Sequence, residues 1–221
     1  MNGIFDSVEQ ALHVSFLVTS MPARQRNTFR MALIQILESV GILSDRQESF
    51  LAYLRGEKSG SVDFSGLSAD EVRAQCAMVV ATVADQLPEN ERNALWIRFA
   101  RGIPARPKSA TVAADCGVPP SKEWKRGVFG VANEMRTTLT ISNRDAIVAL
   151  IAAHAFPHQR EREFSYANLS KEFGIPVRTL ERAAFTIRKR LRVLEHQAID
   201  RLHLLFERDG LVSTEECCET A

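Results

Sequence analysis

The side chains most often used in catalysis and metal binding are few in this sequence, and their spacing suits neither task. His154 and His158 are four residues apart, but Pro157 breaks the helix that would place both on one face. The chain has no glycine-rich phosphate loop, no HExxH motif and no GxSxG motif. No histidine stands at zinc-ligand spacing from any of the cysteines, which are Cys76, Cys116, Cys217 and Cys218. We therefore expect no enzyme, metal or cofactor, and cysteines that stay reduced.

Positive charge is concentrated in one half of the chain. The whole sequence has a net charge of +1, yet residues 1–103 sum to −2, residues 104–214 to +6 and residues 215–221 to −3. A charge asymmetry between halves indicates a polyanionic partner for the basic half.

Neither a membrane span nor a secretory signal is expected. No apolar run approaches the ~18 residues that a spanning helix needs. Asp6 and Glu9 stand where a signal peptide carries Lys or Arg. We expect a cytoplasmic protein without membrane contact.

Apolar spacing predicts an all-α fold. Phe5, Val8, Leu12 and Phe16 recur at helical intervals near the start of the chain, and strand signals are nearly absent. The predicted domains are N-terminal helices (1–43), a degenerate helical repeat (44–87), two helical modules (88–141 and 142–207, the second with a long C-terminal helix) and a disordered acidic tail (208–221).

The two modules resemble each other in sequence. Residues 112–136 (VAADCGVPPSKEWKRGVFGVANEMR) align with residues 169–192 (LSKEFGIPVRTLERAAFTIRKRLR) with one extra residue in the turn of the first. The aligned pairs are Gly117 with Gly174, Pro119 with Pro176, Trp124 with Leu180, Arg126 with Arg182, Phe129 with Phe185, Val131 with Ile187, Met135 with Leu191, and Arg136 with Arg192. A period of about 50 residues indicates duplication of one small helical unit.

Each module has the sequence pattern of a helix-turn-helix. In the second copy Leu169 is an inward-facing residue of a short helix, Gly174 suits the left-handed conformation that ends it, and Ile175 fills the core before a longer helix. In the first copy Val112 and Gly117 have the matching roles. In helix-turn-helix proteins the second helix enters the DNA major groove.

The segment LPENERNALWIRFARG (87–102), with the loop, VAADCGVP and basic helix that follow, resembles the region-four domain of sigma factors and related helix-turn-helix transcription regulators. The second copy is similar to the same domain, and SYANLSKEFGIPVRTLERAAFTIRKRLR is closest to its DNA-reading end. The resemblance covers roughly residues 87–192. A sigma region two is not recognisable, so promoter melting is not implied.

The resemblance implies that a helix beginning near Val177 reads double-stranded DNA. Leu180, Ala184, Ile187 and Leu191 form its buried stripe. Arg178 and Arg182, one turn apart, would reach guanine edges, and later cations would reach phosphates. The expected contact residues are Arg178, Thr179, Arg182, Arg188, Lys189, Ser165 and Tyr166 in the second copy, and Lys122, Lys125 and Arg126 in the first. The alternative interpretation is a solvated charged face shared with Glu172, Glu181 and Glu195.

Two functions follow from these patterns. The first is sequence-specific DNA binding by a transcription regulator. The second is a factor that contacts RNA polymerase or a sigma factor, such as a phage-type antiterminator, because Gly127 and Gly130 weaken the first copy's reading helix by about 1 kcal/mol each. The apolar face after Arg192 would either dock within the chain or form a homodimer seam.

Overall fold

The computed structural model describes residues 4–20, 69–102, 119–156 and 164–212. These residues confirm the all-α prediction, since they contain seven helices and only an isolated bridge between Phe5 and Val212 in place of strands. The helices are α1 (Val8–Ser20), α2 (Ala69–Gln86), α3 (Glu89–Phe99), α4 (Lys122–Met135), α5 (Arg144–Ala155), α6 (Tyr166–Phe173) and α7 (Val177–Arg208). Among the described helices, none combines the length and apolarity needed to cross a membrane.

Several sequence predictions fall outside the described residues. Most of the N-terminal segment and of the degenerate repeat, residues 21–68, is among them, as is the first helix and turn of the first module, residues 112–118. The predicted tail is described only as far as residue 212.

The chain divides into two compact units. Of the described residues, the first unit contains 4–20, 69–85 and 199–212, and the second contains 86–102, 119–156 and 164–198. The boundary falls within α7, after Ala198. The second unit therefore includes the described parts of both predicted modules up to that residue.

In the first unit, order extends beyond the helix end at residue 208, where the sequence predicts a disordered tail. Gly210 takes a positive φ of 70° and turns the chain. The amide of Phe5 then donates a hydrogen bond to the carbonyl of Leu211 at 2.9 Å, and both Leu211 and Val212 are buried. Burial of two apolar side chains explains why residues 209–212 stay with the fold.

Cys76 on α2 is fully buried in this unit, and burial raises the pKa of its thiol to about 11. We expect it to resist alkylation in the folded protein at pH 8 and to react once the chain is denatured, because the thiolate is the reactive form. Peptide mass spectrometry after native and denatured labelling measures this, and equal labelling in both states would contradict it.

The Cys76 thiol ionises near pH 9 in the unfolded chain and near pH 11 in the folded protein, so its contribution to stability is lost as pH rises from about 9 to 11.

The second unit has one apolar core to which both modules contribute. Its buried members come from α3, α4, α5, α6 and α7, and they include Ile97, Val131, Ile147, Leu150, Leu169, Leu180, Ile187 and Leu191. Trp124 and Tyr166 pack against this core and are half-buried. A module of about 50 residues buries little apolar surface by itself and would be only marginally stable. A core shared by both modules buries more of it and is therefore more stable.

Capping interactions fix where the helices of the second unit begin and end. The side chains of Ser121, Asn143 and Ser165 accept hydrogen bonds from backbone amides in the first turns of α4, α5 and α6. At the other end of α5, Arg101 donates to the carbonyl of Ala155 at 2.6 Å. Burial lowers the pKa of this guanidinium, which satisfies a terminal carbonyl and places a cation at the negative end of the helix.

Gly127 and Gly130 have a packing role that the sequence does not reveal. A Cβ at Gly127 would lie 2.8 Å from the backbone oxygen of Asn93 and 3.1 Å from Cβ of Trp96, both on α3. A Cβ at Gly130 would collide with the side-chain amide of Asn93. The two glycines therefore allow α3 and α4 to approach closely, and this contact accounts for residues that lower helix propensity.

Candidate nucleic-acid interface

The second module contains a short helix, a three-residue turn and a long helix. α6 ends at Phe173, and Gly174 adopts the left-handed conformation with φ 67° while its amide donates to the carbonyl of Ser170. Nothing lies within 4 Å of a Cβ built on Gly174, so its backbone conformation is the reason for glycine there. Pro176 follows and α7 begins at Val177, as the sequence predicts.

The face of α7 opposite the core includes a line of exposed side chains formed by Arg178, Arg182, Phe185 and Lys189. We call these four residues the basic face. They follow one another at intervals of four, three and four residues, so they form one line along the helix. The predicted stripe on the other side, Leu180, Ala184, Ile187 and Leu191, is buried.

No ion pair within the described part of the chain involves the three cations of the basic face, whereas several other arginines of the second unit contact carboxylates or rings of the protein. Arg98 pairs with Glu195 at 3.1 Å, and Arg190 with Glu134 at 2.6 Å. Arg92 and Arg144 instead lie over the rings of Trp96 and Phe129, at 5.1 and 4.9 Å from the ring centroids. Glu181 is exposed beside Arg178 and Arg182 on the same helix, but within the described residues no carboxylate lies at ion-pairing distance from the three cations, which favours an external anion.

In the first module, the positions of α4 that align with the basic face carry the same types of exposed side chain, two cations and a phenylalanine. Lys122 and Arg126 align with Arg178 and Arg182, and all four are exposed. Phe129 aligns with Phe185, and the two residues are 44% and 64% exposed. The aligned core positions agree as well, since Val131 and Met135 are buried like Ile187 and Leu191. The exposed positions of the two predicted modules therefore match as well as the buried ones do.

The remaining predicted contact residues lie away from the basic face or have partners within the protein. Ser165 caps α6 through a 3.3 Å bond from the amide of Asn168, and Tyr166 packs on the core. Arg188 is half-buried and donates to the carbonyl of Ala184 on its own helix. Thr179 is half-buried, whereas Lys125 is exposed beside Arg126. Of these five, Lys125 is the best placed for an external anion.

Two long-range ion pairs change how the charges near α7 are interpreted. The sequence suggests that Arg190 is free to bind phosphate, but its Nε and one Nη both donate to Oε1 of Glu134 on α4. The alternative interpretation places Glu195 on a solvated face, yet Glu195 is buried and pairs with Arg98. These two residues serve the packing of the second unit.

The long face of α7 is covered within the chain. Leu191, Leu194, Ala198 and Leu202 are all buried, and Leu205 is half-buried. A homodimer seam is therefore not needed to cover these side chains, and intramolecular docking, the first of the two interpretations, accounts for them.

Sequence reasoning missed Phe185 and Phe129 as surface residues. The alignment of the modules paired them, but gave neither a role. The available signal was their register: Phe185 falls off the Leu180, Ala184 and Ile187 stripe and onto the line of Arg182. An aromatic residue outside the apolar stripe of an amphipathic helix should have been expected on the surface.

No protein-family model matches the sequence, and no curated protein is significantly similar to it. Within the residues that the structure describes, no group of three or more His, Cys, Asp or Glu side chains is arranged to hold a metal ion.

Proposed function

We propose that this chain is a sequence-specific DNA-binding transcription regulator that uses tandem helix-turn-helix modules of the sigma region-four kind. The observation that carries the proposal is the basic face of α7, with Arg178, Arg182 and Lys189 exposed and unpaired within the described residues. The short helix α6, the glycine turn and the long helix α7 that carries the basic face follow one another in the order typical of such a module.

The spacing of the basic face suits a major groove. Arg178 and Phe185 are seven residues apart, about 10 Å along the helix axis. At 3.4 Å per base pair this length corresponds to about three base pairs. Arg178 and Arg182 are the side chains that would read guanine edges, and Lys189 lies further along for a phosphate.

The experiment that tests the proposal is a titration of fluorescent duplex DNA at several salt concentrations. If Lys189, Arg192 and Lys125 each neutralise one phosphate, the logarithm of the affinity falls against the logarithm of salt with a slope of about −3. Binding that is independent of salt, or no binding to any duplex, would refute the proposal.

The Lys189→Ala variant isolates the phosphate contact. We expect it to weaken binding to all duplexes by a similar factor and to make the salt slope shallower by about 0.9, the amount for one released counterion. Arg208→Ala is the matched control, because it removes an exposed cation that pairs with Asp209 at the far end of α7. A Lys189→Ala effect restricted to one DNA sequence would mean that this lysine reads bases.

The second candidate is a factor that binds RNA polymerase or a sigma factor. Exposed apolar side chains of the first unit favour it, since Met78 and Leu204 are 59% and 71% exposed and nucleic acid gives them no role. Retention of polymerase subunits by the immobilised protein in nuclease-treated extract tests this candidate, with Met78→Ser combined with Leu204→Ser as the variant expected to lose them.

A further inference from the structure

Phe185 is the feature of the basic face that charge does not explain. The residue is 64% exposed, so its apolar ring lies partly in water, which is unfavourable. It stands between Arg182 and Lys189 on the same line of the helix, and Phe129 likewise follows Arg126 by three residues, although Asn133 stands at the position of Lys189. We propose that Phe185 contacts the 5-methyl group of a thymine in the major groove, beside the bases read by Arg178 and Arg182.

The assignment rests on the proposed DNA-binding function and adds a base preference to it. In the major groove only thymine offers an apolar group, and phenylalanine is one of the side chains that contact it. The cations on either side of Phe185 favour DNA over a protein as the occupant, because they would hold the ring against a negatively charged surface. Three residues separate Arg182 from Phe185, about 4.5 Å along the helix, so the thymine lies one or two base pairs from the guanine of Arg182.

The aligned positions of the two predicted modules support the same assignment. The pattern of two cations one turn apart followed by phenylalanine occurs on the exposed face of both α4 and α7. At α4 the ring of Phe129 is under Arg144, which leaves 44% of the residue exposed, so Phe185 is the freer of the two. Phe185 is therefore expected to dominate the thymine preference.

The test begins with selection of duplexes from a random pool by the full-length protein. The selected site should contain a thymine within two base pairs of a preferred guanine. Replacing that thymine by deoxyuridine, which lacks only the methyl group, should weaken binding about fourfold, which corresponds to about 0.8 kcal/mol for one buried methyl group.

Phe185→Ala should weaken binding to the thymine duplex at least fourfold and should bind the thymine and deoxyuridine duplexes equally. Such non-additivity identifies a contact between the ring and the methyl group. Val193→Ala is the matched control, because it trims another exposed apolar residue of α7 beyond Lys189 and should keep the full methyl effect.

The outcomes separate the assignment from the function on which it rests. Salt-dependent, sequence-selective binding with no methyl effect would overturn the role of Phe185 alone. Equal loss by Phe185→Ala on both duplexes would also overturn it. Absence of duplex binding would overturn the proposed function and the assignment together, and loss of polymerase retention by Phe185→Ala with unchanged DNA binding would assign the ring to a protein partner.

Discussion

Replacing Arg178 and Arg182 by alanine together should abolish the preference for guanine at the selected site while leaving the fold intact. Each bidentate contact between an arginine and a guanine is worth about 1–3 kcal/mol of discrimination, so each single substitution should reduce selectivity about 5- to 150-fold. Both side chains are exposed and have no ion pair in the described part of the chain, so their removal breaks no contact that stabilises the second unit.

The decisive comparison uses lysine in place of alanine. Arg178→Lys with Arg182→Lys keeps both charges but lacks the planar fork that matches two acceptors on guanine. We expect this variant to retain the salt slope of the wild-type protein and to lose its preference for the selected site. Affinities for the selected and scrambled duplexes, measured side by side at two salt concentrations, give both quantities.

Two results would contradict this reading of the arginines. If the lysine variant keeps its selectivity, the two residues act through charge and contact phosphates. If the wild-type protein binds selected and scrambled duplexes equally, the basic face carries no sequence information. Unchanged thermal unfolding of both variants is the control that assigns any loss to the interface.

Local chemistry made part of this fold predictable. Gly174 and Pro176 together define a helix end and a new start, so the beginning of α7 at Val177 could be read from neighbouring residues. The buried stripe from Leu180 to Leu191 could be predicted for the same reason, because helical periodicity is a property of a single segment.

Contacts between distant segments could not be predicted in that way. Arg190 and Glu134 are 56 residues apart, and Arg98 and Glu195 are 97 apart. The spacing along a single helix predicts only that each of these four charged side chains is exposed. The packing of the second unit is what brings the two partners of each pair together. The candidate site changed in part for this reason, since Glu134 holds Arg190, one of the later cations that the sequence places at phosphates.

Gly127 offers a stringent test of how α3 and α4 pack. We expect Gly127→Val to lower the free energy of unfolding by about 3 kcal/mol, because a branched side chain has to fit where a Cβ alone already lies 2.8 Å from the backbone oxygen of Asn93. Backbone cannot move aside as a side chain can, so the helices must separate. Chemical denaturation followed by tryptophan fluorescence measures the loss, since both tryptophans, Trp96 and Trp124, lie in the second unit.

The control is Asn133→Ala, an exposed position on the same helix. Alanine has the higher helix propensity, so this variant should be as stable as the wild-type protein or slightly more so. If Gly127→Val behaved like Asn133→Ala, α3 and α4 would not be in close contact and the glycine would reflect a weak helix. If Gly127→Val destabilises as expected, the glycines of α4 are needed for its packing against α3. The same packing leaves Lys122 and Arg126 exposed, so the glycines do not argue against α4 as a DNA-reading helix.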